Sequence, residues 1–185
     1  GSSDHAANFL NFLCMQHLGI LTTSLPMSLV TLYQAPLQTQ ETLCIGVSQS
    51  GQSPDVRAPI QYFRKTHALT LSLVNDENSP LAKESEFVIG LKAEKETAVA
   101  ATKSFITSLA AAYSLIAHWK NDIQLINEIE KIPDYLYKAQ NKNWSLLNDK
   151  LLATDKIMVV GRGPGLSLAL EASLKFKETC QIQAE

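Results

Sequence analysis

Two clusters of side chains in this sequence have types and spacings suited to chemistry. The first is Ser48-Gln49-Ser50-Gly51-Gln52-Ser53, followed by Pro54. A serine before a proline reads as a helix N-cap with proline at the first helical position. N–H groups at such a helix start carry positive potential, and Ser48, Ser50 and Ser53 add hydroxyls, so the loop could hold a phosphate without any lysine. The competing reading is a turn whose serines only brace the backbone. No Walker-type lysine follows a glycine here, so a nucleoside triphosphate is not implied.

The second cluster is Glu171, Lys175 and Glu178, at i, i+4 and i+7. A helix of about 3.6 residues per turn puts all three on one stripe. Beside a ligand crevice, a carboxylate held near a lysine could move a proton between adjacent carbons. On a solvated face the same residues would be an ordinary salt-bridged stripe. Gly161-Arg162-Gly163-Pro164-Gly165 precedes this helix, but a dinucleotide fingerprint would need glycine where Leu166 stands. A tight turn or a close backbone approach is what those glycines allow. His5, His17, His67 and His118 show no metal-ligand spacing.

The elements that must position these residues alternate in type. Residues 43–47 (LCIGV) form a short apolar run entering the serine loop, which predicts a buried parallel strand followed by a helix over 54–67. Residues 69–74 (LTLSLV) are the next strand, Ser79-Pro80 opens a short helix, and 87–91 (FVIGL) gives a third strand. An alanine-rich helix is predicted from about residue 98 to 119, and a helical stretch interrupted at Pro133 covers 122–152. Residues 156–160 (KIMVV) begin a new strand, and a helix over 166–179 follows the glycine-rich segment. This alternation predicts an α/β fold with a doubly wound, mainly parallel sheet.

Gly1 to His5 reads as a loop leading into an amphipathic run over 6–18. A strand would precede such a loop in an α/β unit, so the reading is of a chain that starts inside a fold. Gly1 and Gly161 each begin a polar loop before an apolar-faced helix, which predicts two copies of one module. The expected organisation is a first domain over 1–120 lacking its first strand, a helical connector over 121–154, and the start of a second domain over 155–185.

Composition narrows the function classes. The chain has 185 residues and a net charge of −2, with 16 Lys plus Arg against 18 Asp plus Glu, so no nucleic-acid partner is indicated. With 45% apolar residues it can fill a core. Cys14, Cys44 and Cys180 are too few and too scattered for a disulfide framework or a metal knuckle, and they read as reduced thiols of an intracellular protein. No apolar run approaches the roughly 18 residues of a membrane span. No secretory leader opens the sequence. A soluble cytoplasmic protein with no membrane partner is expected.

Taken together, Gly1-Ser2-Ser3, Ser48-Gln49-Ser50-Gly51, Val99-Ala100-Ala101-Thr102-Lys103, Gly161-Arg162-Gly163 and the run from Glu171 to Glu178 resemble the sugar isomerase (SIS) family. They are similar in particular to the tandem isomerase half of glucosamine-6-phosphate synthase and to stand-alone hexosamine-phosphate deaminases and isomerases. The resemblance implies a flavodoxin-like sandwich that binds a sugar phosphate. In it Ser2, Ser3, Ser48, Gln49, Ser50 and Ser53 hold the phosphosugar, and Val99 and Ala101 line the pocket through their backbone. It further implies that Glu178 is the base of an aldose–ketose isomerisation, supported by Lys175, with no cofactor and no metal. The family's ring-opening histidine comes from the other subunit of a homodimer and has no counterpart in this chain. Gln183 stands where many relatives carry histidine. The forms SQSGQSPD, LVND and VAATKSF look closer to the deaminase branch than to the synthase, and nothing in the chain resembles a glutamine-hydrolysing domain. The expected function is isomerisation of an amino-sugar 6-phosphate with ammonia release. Its alternatives are the isomerase half of an aminotransferase and a sugar-phosphate-sensing module of a transcriptional regulator.

Overall fold

The computed structural model describes residues 1–185. Three strands, β1 (Leu43–Ser48), β2 (Leu69–Val74) and β3 (Phe87–Gly90), form a parallel sheet in the order β1-β2-β3. Parallel neighbours need a crossover, and α3 (Pro54–Lys65) and α4 (Pro80–Glu84) supply the two crossovers. The period-two alternation of the strands sends side chains to two cores. Ile45, Val47 and Leu73 pack against Leu10 and Leu13 of α1 (Ser2–Leu13) and Phe105, Ala112 and Ile116 of α5 (Lys103–Lys120). Val74 and Cys44 face the other way, against Ile60 of α3 and Leu81 of α4. Each such fully buried aliphatic side chain is worth about 1.5–3 kcal/mol in apolar area removed from water. Gly46 faces α3 as well, and a Cβ there would meet Ile60 at 3.3 Å, so its bareness lets the helix sit close to the sheet.

The remaining elements are α2 (Ser28–Thr31), α6 (Ile123–Ile129), α7 (Ile132–Gln140), α8 (Ser145–Leu152), β4 (Lys156–Ile157), α9 (Gly165–Cys180) and β5 (Gln183–Ala184). β4 and β5 pair in parallel as a separate two-stranded sheet. Helices α6 to α8 bury none of their residues, and Tyr137 and Leu146 of this stretch are largely exposed. No helix is long and apolar enough to cross a membrane.

The helices on both faces of a parallel sheet agree with the predicted α/β class, and several element boundaries differ from expectation. The opening loop is absent: Gly1 is the N-cap and α1 begins at Ser2, with the Asp4 N–H bonded to the Gly1 carbonyl at 2.9 Å. The same helix ends in a π-turn, Cys14–Leu18, stopped by Gly19 at φ +67°. The alanine-rich helix starts at Lys103 rather than at 98, because the Glu96 carboxylate captures the backbone N–H groups of Thr102 and Ser104. The strand expected over 156–160 is paired only at Lys156 and Ile157, after which the Val159 N–H reaches the Glu185 carbonyl. The interruption near Pro133 falls at Glu130 and Lys131, with Pro133 in the first turn of α7.

Candidate active site

Helix α9 packs against α1, and the contact is polar where the stripe of charges meets the first turn of α1. Glu171 is buried there. It accepts a hydrogen bond from Ser2 Oγ at 2.7 Å, pairs with His5 Nδ1 at 2.7 Å and lies 3.2 Å from Lys175 Nζ. Burial by itself would raise its pKa, and the bonds from Ser2, His5 and Lys175 outweigh that, leaving the carboxyl below the ordinary glutamate range. Lys175 Nζ continues the network to Ser2 Oγ at 3.3 Å and to Glu178 Oε2 at 2.9 Å. Burial would lower the ammonium, but the bonds to Glu178 and Glu171 more than compensate and hold it above its usual value. Lys175 is therefore a fixed cation rather than a proton acceptor near neutral pH.

The same end of the molecule opens into a cavity of about 290 Å³. Gly1, Ser2 and Ser3 from the start of α1 form one wall, and Gln49 from the serine loop another. Val99 and Ala101 contribute from the segment before α5, and Lys175 and Glu178 close the side toward α9. Glu171 does not line it. Spacing alone left Glu171 and Glu178 equivalent; helix packing separates them, with the first sealed between α1 and α9 and the second on the cavity wall. The carboxylate of Glu178 is 42% exposed in its side chain, ion-paired on one oxygen only and open to a ligand.

The serine loop is divided. Ser48 is buried, and its Oγ accepts the Gly51 N–H at 3.0 Å, closing the turn. Ser50 Oγ accepts the Gln52 N–H at 3.3 Å, and Ser53 occupies the N-cap of α3 without a side-chain cap bond. Of these residues only Gln49 lines the cavity; Ser48, Ser50 and Ser53 lie beside it in the same turn. Gly51 adopts φ +62°, and a Cβ there would run into the Ser79 side chain and Val74, so the turn can close against α4 only with glycine. The Gly51 carbonyl also receives the Leu81 N–H at 3.1 Å, tying loop to helix.

The glycine-rich segment before α9 is a tight turn. A Cβ on Gly161 would collide with the Gly165 backbone, and Gly163 sits at φ +57° against Phe12. The sequence reading missed His5, Ser104, Phe105 and Ser108. The last three line the cavity, with Ser104 and Ser108 one turn apart on α5. Two serines at i, i+4 in an alanine-rich helix were a usable signal; the pairing of His5 with a residue of α9 was not, since it depends on the docking of two helices.

A parallel α/β unit with hydroxyl, amide and backbone groups around a lysine–carboxylate pair is a domain for a small polar ligand. The SIS domain model matches residues 1–118, and the chain belongs to the SIS domain family. It is 32% identical over 188 residues to a glutamine–fructose-6-phosphate aminotransferase (isomerizing) of Sulfurisphaera tokodaii, covering all of this chain and 31% of that protein. Among solved structures, a chain from Silicibacter pomeroyi described provisionally as a phosphosugar isomerase superposes with a TM-score of 0.96 at 39% identity, covering 100% of this chain and 57% of that one. The C-terminal domain of glucosamine-fructose-6-phosphate aminotransferase from Francisella tularensis gives a TM-score of 0.83 at 25% identity, with 100% and 55% covered. The chain thus spans about a third of the curated relative and just over half of the solved chains.

Proposed function

We propose that this chain carries the phosphosugar site of an aldose–ketose isomerase acting on an amino-sugar 6-phosphate, with ammonia as the second product. The observation that supports the reading most is Glu178 on the cavity wall, bound to Lys175 at 2.9 Å and facing serine hydroxyls and loop backbone. In the proposed reaction Glu178 takes the C2 proton of the open-chain aldose, and the C–H electrons form the C1–C2 double bond of an enolamine. The C1 oxygen takes up a proton from solvent as its carbonyl bond opens. Glu178 then delivers its proton to C1, which becomes a hydroxymethyl group, while the nitrogen lone pair closes a C2–N double bond and leaves an iminium at C2. Water adds at C2 and ammonia leaves, giving the ketose phosphate. Lys175, held cationic, stabilises negative charge developing on the oxygen at C1. No cofactor enters these steps.

In this reading Ser48, Gln49, Ser50 and Ser53, with the start of α3, bind the phosphate, while Ser2, Ser3 and the backbone at Val99 and Ala101 bind the sugar. The segment over 155–185 would open a second SIS module after a connector over 121–154. The site would be completed in a homodimer by a ring-opening histidine from the partner. The forms SQSGQSPD, LVND and VAATKSF favour the stand-alone branch. The aminotransferase at 32% identity keeps the isomerase half of that enzyme as the second reading. A sensor without catalysis would keep the serine loop without needing Glu178 on the cavity wall.

The test is exchange of the C2 proton of glucosamine 6-phosphate with deuterated water, followed by NMR together with ammonia release. Exchange and ammonia in water alone support the deaminase. Exchange without ammonia points to the aminotransferase half, and binding without exchange to the sensor.

A further inference from the structure

Residues 91–102 have no regular secondary structure, yet this segment supplies Val99 and Ala101 to the cavity wall. A stretch of that length without structure of its own needs side-chain hydrogen bonds to fix it. Two residues supply them, one from outside the segment and one from within it. Asn75, at the end of β2, donates from Nδ2 to the Glu94 carbonyl at 2.6 Å and accepts the Ala93 N–H on Oδ1 at 2.8 Å. Glu96, inside the segment, folds back on α5: one oxygen, Oε2, takes the Thr102 N–H at 3.2 Å, the Ser104 N–H at 3.0 Å and the Ser104 Oγ at 3.2 Å. Lys103 Nζ adds a bond to the Lys95 carbonyl at 3.1 Å.

Lys92 and Glu94 both have positive φ, +55° and +57°, a region non-glycine residues occupy only when their surroundings impose it. Between the Glu96 carboxylate and the α5 start, residues 97–101 are drawn into a closed loop that brings Val99 and Ala101 to the cavity wall. Ser104, the residue Glu96 grips with two bonds, is itself on the cavity wall.

We infer that Glu96 is a positioning residue for the phosphosugar site, holding the 97–101 loop so that its backbone meets the sugar, with Asn75 anchoring the other end of the same strap. This rests on the proposed function for the identity of the ligand, and on the geometry alone for the pinning. Glu96 does not line the cavity, so it acts through the loop. Backbone contacts of this kind serve the bound sugar and the transition state alike, so their loss raises KM and leaves kcat nearly unchanged. The cap bonds to N–H groups at the α5 start also hold the Glu96 carboxyl below the ordinary range, with the Ser104 backbone bond the largest cause.

Three proteins, wild type, Glu96→Ala and Glu96→Gln, are compared as full chains in two measurements. Hydrogen–deuterium exchange of the free proteins should show faster exchange at Thr102 and Ser104 in Glu96→Ala, with Glu96→Gln in between because its amide oxygen still accepts. With glucosamine 6-phosphate as probe, Glu96→Ala should raise Kd and KM about ten-fold, kcat should stay within about two-fold, and Glu96→Gln should recover most of the affinity. Asn75→Ala should give a smaller change of the same kind. Unchanged exchange at Thr102 and Ser104 overturns the pin. Faster exchange with unchanged Kd overturns its service to the site, as does a fall in kcat at constant KM. A wild-type protein that binds no hexose phosphate overturns the proposed function and this use of the strap, while the exchange measurement still decides whether Glu96 holds the loop.

Discussion

The two ends of the α9 stripe hold the same residue type in opposite conditions. Glu171 is buried, satisfied by Ser2, His5 and Lys175, and shut off from the cavity; Glu178, seven residues on, shares only Lys175 and stands open on the cavity wall. A buried carboxylate with both oxygens engaged is a structural cross-link, and one with a free oxygen at a cavity is a reagent. The serine loop shows a milder contrast: Ser48 accepts the Gly51 N–H and keeps its O–H to donate, whereas Ser53 makes no side-chain bond at the head of α3.

Glu178→Gln should have the largest effect on the chemistry. It keeps size and polarity and removes the base, so C2-proton exchange should fall by about 10² to 10⁴ with little change in substrate affinity. Exchange at the wild-type rate would take the reagent role away from this end of the helix. Glu171→Gln should do the reverse, costing about 1–3 kcal/mol of stability in chemical denaturation by disrupting buried hydrogen bonds, while the proton-transfer rate follows only as far as Lys175 shifts.

The pH dependence of that cost sharpens the contrast further. The folded pKa of Glu171 is lowered, so its contribution is present in full above the unfolded glutamate value of about 4.3 and is lost as pH falls through the lower folded value. The stability gap between wild type and Glu171→Gln should therefore be present near neutrality and close in thermal melts taken below about pH 4. A gap that persists undiminished into strong acid would mean the carboxylate's charge is not what binds α1 to α9.

In the serine loop the effects are smaller. Ser48→Ala strands the Gly51 N–H and should cost about 1 kcal/mol in denaturant titration. Ser53→Ala removes no cap bond and should shift stability by less than about 0.5 kcal/mol, below the usual loss for an N-cap serine. A larger loss would show that the Ser53 hydroxyl is already engaged in the fold and not free for a ligand.

Much of the fold was legible in the residues because its causes are local. The apolar runs before and after the serine loop gave β1 and β2, Ser53-Pro54 and Ser79-Pro80 marked the starts of α3 and α4, and all four elements lie where their patterns put them. The errors fall where a distant group intervenes. Composition favoured helix from residue 98, but the Glu96 carboxylate satisfies the N–H groups that a longer helix would have used and starts α5 at Lys103. Residues 158–160 have the pattern of a strand yet find no ladder partner beyond the single bond from Val159.

The alternation of strands and helices, the serine turn and the placing of Glu171, Lys175 and Glu178 on one stripe are all readable in the residues, since each follows from backbone preference or helical period. Only the tertiary structure decided which carboxylate is sealed and which is open, that Ser2 and His5 meet Glu171, and that Ser104 and Ser108 join Gln49 at one cavity. Those outcomes depend on how α1, α5 and α9 dock. Docking is fixed by the packing of residues far apart in the chain, and no local pattern records it.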